Sequence, residues 1–288
     1  MLSAQQPPDL PPPGPPPPVA LQGLIPPDQL AFLNTYAGQP VKALLKDKRY
    51  KALLKQVTPR TTYHYGRDMS IADALDMVMD GSKVPVSIRE GRYVTVVGTN
   101  GPYLRGRGMM WFDLQVGTAL GAFYFSPTNG EPTPTLTVFS RQLTDTDLSM
   151  GQMPPPFVDD LNQWALAEHV PAISPRYFIP DNGKKYVLVH DEEYCADAPG
   201  QSAPPANICE QLMDQAADAD MNAAYFMKET HNAANATAWM LGPDQIAWVG
   251  VRESTCGVAL SCRIRMTRER TRVLMGHSGM GGRGVGRR

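Results

Sequence analysis

The chain has 288 residues, of which 42% are hydrophobic and 19% charged, with a formal net charge of −1. This length suffices for one large or two modest domains, and the near-neutral charge gives no reason to expect a nucleic-acid partner. Because the sequence lacks an apolar run of about 18 residues, we predict no membrane-spanning helix.

The N-terminal segment is rich in proline and contains the run PPPGPPPPVALQGLIPP. This composition favours an extended polyproline II conformation over helix or sheet. We interpret residues 1–27 as a disordered spacer that holds the folded protein away from an anchoring point, such as a lipidated N-terminus that this sequence does not carry. The alternatives are a linker without that task and a proline-rich recognition motif.

Three helices are predicted between residue 28 and the first strand. The first, DQLAFLNTYAG, ends at Gly38, and the second, VKALLKDKRYKALLKQV, is amphipathic and basic. The third begins at Ser70, which forms a predicted capping box with Asp73. A basic amphipathic helix can contact a membrane or an acidic partner, but its lysine face more often contacts only solvent.

From Val84 the sequence changes to short β-branched and aromatic runs separated by glycine, asparagine and proline. These runs are VPVSI, YVTVV, MMWFDLQV, ALGAFYF, TLTVFSRQL, RYFIP and KYVLVHD. A helix is predicted from about Phe157 to His169, between the fifth and sixth runs. We therefore predict that residues 28–190 form an α+β domain around an antiparallel sheet.

Residues 191–275 are predicted to be helical and contain every cysteine of the chain: Cys195, Cys209, Cys256 and Cys262. An even number of cysteines in one short segment favours disulfides in an oxidising compartment, and three connectivities remain open. Free thiols in a cytosolic protein are the alternative, whereas the cysteine spacing does not suit a structural zinc site. The glycine-rich residues 276–288 are predicted to be a flexible tail.

Two sets of residues in this segment follow the periodicity of one helix face. The first set is Asp218, Met221, Asn222 and Tyr225, and the second is Gln245, Trp248, Arg252 and Cys256. The first set overlaps a calcium-loop pattern made by Asp218, Asp220, Asn222 and Glu229. Because Ala223 stands where that loop needs a glycine, we predict a helix there and no metal site.

This segment resembles the LprI-type lysozyme-inhibitor family of small bacterial envelope proteins, over residues 195–275. The family pattern is D-x-x-[LM]-N-x-x-Y, then Q-x-x-W-x-x-x-R-x-x-x-C, then a cysteine and T-x-x-R-x-x-x-L. The two helix faces match its first parts, and the last part is matched by Cys262, Thr267, Arg270 and Leu274. The resemblance implies disulfides between Cys195 and Cys209 and between Cys256 and Cys262.

We expect the matched side chains to be structural: Asp218, Asn222, Tyr225, Gln245, Trp248, Arg252, Thr267 and Arg270. Our hypothesis is that Trp248 packs between three helices while Arg252 meets Asp218, since a buried charge needs a partner. Cys256 would then brace the turn into the last helix. The alternative is that Trp248 and Arg252 form an exposed binding pair.

The resemblance implies a protein that blocks a lysozyme-like peptidoglycan hydrolase in the periplasm or cell envelope. We expect no cofactor, and our more specific hypothesis is an immunity protein that protects a cell from such a hydrolase. We predict partner contacts in the loop SPTNGEPTPT, through Thr128, Asn129, Gly130 and Glu131. Its prolines limit the entropy lost on binding, and Glu131 suits a basic enzyme surface. The alternative is a stiff hairpin without a partner.

Two other classes of protein are weighed against an inhibitor. An envelope-tethered scaffold would use the spacer and the basic helix as attachment points. A cell-wall-acting hydrolase is the other alternative, because catalytic carboxylates need no motif. The sequence lacks the G-x-S-x-G, H-E-x-x-H and Walker patterns of other enzyme classes.

Overall fold

The N-terminal two-thirds of the chain form a mixed sheet covered by helices, and three long helices follow. The structure is a computed structural model that describes residues 18–65, 67–100, 106–125, 134–171, 174–190, 205–232 and 238–276. The α+β architecture predicted from the sequence, with a sheet followed by a disulfide-braced helical region, is confirmed.

The packed part of the chain begins earlier than predicted. The Val19 N–H donates to the Gln152 carbonyl at 2.8 Å, and the Ile25 N–H donates to the Gly117 carbonyl at 2.9 Å. Ile25 is buried in the core of the sheet domain. The boundary of the spacer at residue 27 is therefore too late, because the apolar residues after the prolines pack onto the sheet. Residues 1–17 lie outside the described part.

Four short helices precede the main sheet: α1 (Pro27–Leu30), α2 (Val41–Leu45), α3 (Lys48–Val57) and α4 (Ile71–Met79), with a 3-10 helix at Ala31–Tyr36. The single basic helix predicted from residue 41 is two helices. Asp47 interrupts it, because its carboxylate accepts a hydrogen bond from the Arg49 N–H at 2.8 Å and caps α3. Ser70 caps α4 by accepting from the Asp73 N–H.

A short hairpin of β1 (Thr62–His64) and β2 (Asp68–Ser70) precedes α4. The main sheet contains β3 (Ser87–Arg89), β4 (Tyr93–Asn100), β5 (Gly106–Asp113), β6 (Thr118–Phe125), β7 (Thr135–Phe139), β8 (Leu148–Ser149), β9 (Arg176–Ile179) and β10 (Tyr186–Val189). Their order is β3-β4-β5-β6-β7-β9-β10-β8.

The sheet is mixed rather than wholly antiparallel. The pairs β7–β9 and β10–β8 are parallel, while the other neighbours are antiparallel. Helix α5 (Pro155–Ala167) lies between β7 and β9 in sequence. It supplies the long crossover that a parallel pair requires.

Each face of the sheet buries its own apolar core. Helices α1 to α4 cover one face, where Tyr50 and Leu75 pack near Phe112 and Phe123. Helix α5 covers the other face, where Phe157 packs against Trp111. The Trp111 indole N–H donates to the Asp160 carboxylate at 2.7 Å, so the polar atom of this fully buried ring is satisfied.

Helix α4 lies directly on β4 at Gly98, where a Cβ atom would stand 2.5 Å from the Met79 Cα. We expect Gly98→Ala to lower the free energy of unfolding by about 1–3 kcal/mol, because the backbone of α4 must move away from the sheet. Chemical denaturation measures the change. The control is Gly250→Ala, since a Cβ there meets nothing within 4 Å. Because Gly250 is exposed in a helix, Gly250→Ala should raise the free energy of unfolding by about 0.5–1 kcal/mol. Equal effects would contradict the close packing of α4.

The three C-terminal helices are α6 (Ala206–Asn232), α7 (Ala238–Cys256) and α8 (Leu260–Leu274). They share an apolar core with the end of the sheet, where Tyr177 of β9 and Val187 of β10 pack with Met221, Ala224 and Leu274. Strand alternation puts Tyr177 on the same sheet face as α1 to α4. Helix α6 therefore continues the helical layer of the sheet domain.

Candidate functional site

A buried contact between a carboxylate and an imidazole joins α6 to the sheet. Asp220 of α6 lies 2.8 Å from the His190 Nδ1, directly after β10, and both side chains are almost wholly enclosed, with 2% and 0% exposure. The His190 backbone N–H also donates to Asp220 at 3.3 Å. These contacts fix α6 to the last strand, so the three-helix unit has a set orientation on the sheet.

A second polar network lies inside the three-helix unit and is centred on Arg252 of α7. Its guanidinium donates to Asp218 of α6 at 2.6 Å and to the Thr267 hydroxyl of α8 at 2.9 Å. The Arg252 side chain is only 7% exposed. One side chain thus connects all three helices, and the structure brings together the two charges that the sequence analysis paired.

Two arginines, Arg252 of α7 and Arg270 of α8, lie close to the Trp248 ring. The Arg252 guanidinium is 5.2 Å from the centre of the indole ring and that of Arg270 is 5.7 Å away. Arg270 also donates to the Gln245 side chain at 2.9 Å and to Asp244 at 2.6 Å. Trp248 is partly buried against the shared core, and the structural role predicted for Trp248 and Arg252 stays a prediction.

The first predicted helix face is only partly inward. Met221 is buried, Tyr225 packs against the shared core, and the Gln245 amide donates to the Met221 sulfur at 3.3 Å. Asn222 is exposed, because it is rotated about 100° around α6 from its buried neighbour Met221. The structural role predicted for its side chain stays a prediction.

Asp214 is a further member of the Arg252 network that the sequence analysis did not select. It lies 3.5 Å from Arg263 of α8, and Glu253 of α7 also pairs with Arg263 at 2.7 Å. Burial raises the pKa of the Asp214 carboxyl above its ordinary value, while the charges of Arg263 and Arg252 oppose that rise. Its position on α6, four residues before Asp218, is the sequence signal that could have identified it.

The turn between α7 and α8 is closed by a disulfide. Cys256 and Cys262 are bonded, with Cα atoms 5.4 Å apart, which is the pair that the family resemblance implies. Cys209 is disulfide-bonded as well. Cys195 lies outside the described residues, so its predicted pairing with Cys209 stays a prediction.

We expect the double change Cys256→Ser and Cys262→Ser to lower the free energy of unfolding by about 2 kcal/mol, because the short closed loop restricts the unfolded chain. Chemical denaturation measures this loss, and hydrogen exchange should show faster opening at the end of α7. The single change Ser261→Ala, at an exposed position inside the same loop, serves as the control. A double variant as stable as the wild type would show that the bond braces nothing.

The outward side of α7 is apolar and exposed. Its large side chains are Met240, Ile246 and Val251, and Val258 follows in the closed turn. Ile246 is 75% exposed and Val258 is 95% exposed. We call this set, with Ala247 and Gly250 between its members, the α7 face. The nearby charges of Asp244 and Glu253 are already paired with arginines, so the α7 face is an uncharged surface on a braced support.

The predicted partner loop cannot be compared with this face, because Thr128, Asn129, Gly130 and Glu131 lie outside the described residues. The residues of the calcium-loop pattern, 218–229, lie within α6, which runs without a break from residue 206 to 232. The helix predicted there is therefore present. Within the part of the chain that the structure describes, no cluster of metal-ligating side chains occurs. None of the described helices is long and apolar enough to cross a membrane.

The fold and this site define a sheet domain that carries a disulfide-braced three-helix unit. Residues 195–274, which include α6, α7 and α8, match the family model described as "Lysozyme inhibitor LprI". The match covers less than a third of the chain and leaves the sheet domain unassigned. Neither a curated protein nor a solved structure matches this chain.

Proposed function

We propose that this chain is an inhibitor or immunity-type binding protein that blocks a lysozyme-like peptidoglycan hydrolase in the periplasm or cell envelope. The observation that carries the proposal is the family match over the three-helix unit. The disulfide between Cys256 and Cys262 supports an oxidising compartment outside the cytosol. The proposed domain division, with the inhibitory unit after residue 190, follows the same match.

We assign the contact with the hydrolase to the α7 face and to the turn that the disulfide closes. Interfaces have apolar centres surrounded by polar rims, and here Ile246 and Val251 are flanked by the paired charges of Asp244 and Glu253. The bonds of Arg252 and the disulfide hold this surface in place before binding, which reduces the entropy lost on association. Blocking of the hydrolase is then steric, with no chemical step.

The test measures lysis of a cell-wall suspension by lysozyme in the presence of the purified chain. We expect inhibition by the wild type, and an inhibition constant at least about 30-fold weaker for Ile246→Asp combined with Val258→Asp, since central interface residues contribute about 2 kcal/mol or more. Leu166→Asp is the matched control, because Leu166 is an apolar residue of α5 with 68% exposure on the sheet domain.

The other outcomes separate the alternatives. If Asn129→Ala with Glu131→Ala weakens inhibition and the α7 variants do not, the contact belongs to the loop at residues 126–135. If the chain lyses the suspension by itself, it is a hydrolase. If it neither inhibits a panel of peptidoglycan hydrolases nor lyses the wall, the inhibitor proposal is wrong and an envelope scaffold remains.

A further inference from the structure

A cleft separate from the α7 face lies where the three-helix unit meets the sheet. It has a volume of about 370 Å³ and is open on one side, between the turn that joins β9 to β10 and the neighbouring parts of α6 and α8. This volume is at the small end of the roughly 300–1,000 Å³ range of ligand pockets. The described residues that line the cleft come from β10, the turn before it, α6, α8 and Met275, and none belongs to α7, so this site is separate from the proposed inhibitory surface.

The cleft combines an apolar floor with a positively charged rim. Met227 of α6, Leu274 of α8 and the adjoining Met275 provide the floor, and the rim carries Lys184, Lys185 and Lys228. Among the described residues that line it, none is an aspartate or a glutamate. Methionine side chains adapt to the shape of an apolar ligand, whereas three ammonium groups around a small opening favour an anion.

The lysines come from both sides of the cleft. Lys184 and Lys185 belong to the turn after β9, and Lys228 belongs to α6 across the opening. The Lys185 ammonium lies 3.9 Å from the centre of the Tyr177 ring, a cation–π contact that fixes its position. Neither Lys184 nor Lys228 has an acidic partner among the described residues.

We propose that this cleft binds a single-chain fatty-acid carboxylate, with the alkyl chain on the methionine and leucine floor and the carboxylate at the lysine rim. The floor requires an apolar ligand, since desolvating these side chains is favourable only against another apolar group. The rim requires a negative charge. The volume suits one alkyl chain with a small head group and not the two chains of a phospholipid.

Isothermal titration of the full chain with hexanoate, octanoate and decanoate below their micelle concentrations tests this site. We expect the affinity to rise about fourfold for each added methylene until the cleft is full. Octanol lacks the charge and should bind at least about tenfold more weakly than octanoate, because a charged hydrogen bond contributes about 1.5–3 kcal/mol.

Two pairs of variants locate the site. Lys184→Gln with Lys228→Gln should weaken octanoate binding about tenfold or more. Lys48→Gln with Lys51→Gln, at two exposed lysines of α3, should leave it unchanged. Met275→Ser should flatten the dependence on chain length, and thermal unfolding verifies that each variant is folded.

Several results would overturn the proposal. These are an absence of binding at millimolar octanoate, an affinity independent of chain length, and equal losses in the two lysine pairs. A short acidic peptide such as tetraglutamate that binds more tightly than decanoate would also overturn it, and would indicate a protein ligand for the cleft.

Discussion

Asp220→Ala is expected to lower the free energy of unfolding by about 1–3 kcal/mol, because it removes a buried carboxylate that accepts from the His190 backbone N–H and contacts the His190 ring. Asp220 lies 2.8 Å from the His190 ring and accepts from the His190 backbone N–H. Both groups are enclosed at the junction of α6 and β10. The loss should therefore appear as a weaker attachment of the three-helix unit to the sheet.

Chemical denaturation followed by hydrogen exchange measures both parts of this prediction. Exchange should increase in α6 and β10 before it increases in β5 and β6, at the centre of the sheet. Asp220→Asn keeps a hydrogen-bond acceptor of the same shape and should lose less stability than Asp220→Ala.

The chain contains a matched control for burial. His64 and Asp68 form a pair of the same chemistry with the same type of contact, 2.7 Å from the His64 Nδ1 to the Asp68 carboxylate, but Asp68 is 73% exposed. We expect Asp68→Ala to change the free energy of unfolding by less than about 0.5 kcal/mol. Equal effects of Asp68→Ala and Asp220→Ala would show that the buried pair does not hold the helices on the sheet.

The sequence was sufficient to predict contacts that depend on local periodicity. Helical spacing placed Arg252 and Trp248 on one side of α7, and the cost of an unpaired buried charge required an acidic partner. Asp218 was the acidic residue on the matching face of α6, and the structure shows that contact. The strands from Val84 to Phe139 were recognisable for the same reason, since β-branched and aromatic runs have a local signature.

The contacts that the sequence did not predict join residues whose proximity depends on the tertiary fold. Asp220 and His190 are 30 positions apart, in a helix and directly after a strand. The calcium pattern grouped Asp220 with Asp218. On a helix, however, two residues that are two positions apart are rotated by about 200° around the axis, so these side chains point in different directions. The strands β1, β2 and β8 contain only two or three residues each, which is too short for a periodic signal.

Arg252→Met is expected to lower the free energy of unfolding by about 3 kcal/mol, since it removes the cation shared by α6, α7 and α8. The Thr267 hydroxyl and Asp218 lose their partner at 2.9 Å and 2.6 Å, respectively. Methionine preserves the apolar volume of the stem, so the loss reports the charge and its hydrogen bonds. Arg272→Met is the control, because Arg272 is exposed on α8 and its pair with Glu269 is at 3.8 Å; its effect should be below about 0.5 kcal/mol.

The pH dependence of the Arg252→Met effect provides an independent test. Arg252 opposes the rise in the pKa of the buried Asp214 carboxyl, so its removal raises that pKa further in the folded protein. A carboxyl whose pKa is higher when folded than when unfolded loses stability as the pH rises above about 3.9. The difference in unfolding free energy between the wild type and Arg252→Met should therefore be smaller at pH 4 than at pH 7. The added change Asp214→Asn should reduce this pH dependence, and a difference that stays constant with pH would contradict the proposed coupling between Arg252 and Asp214.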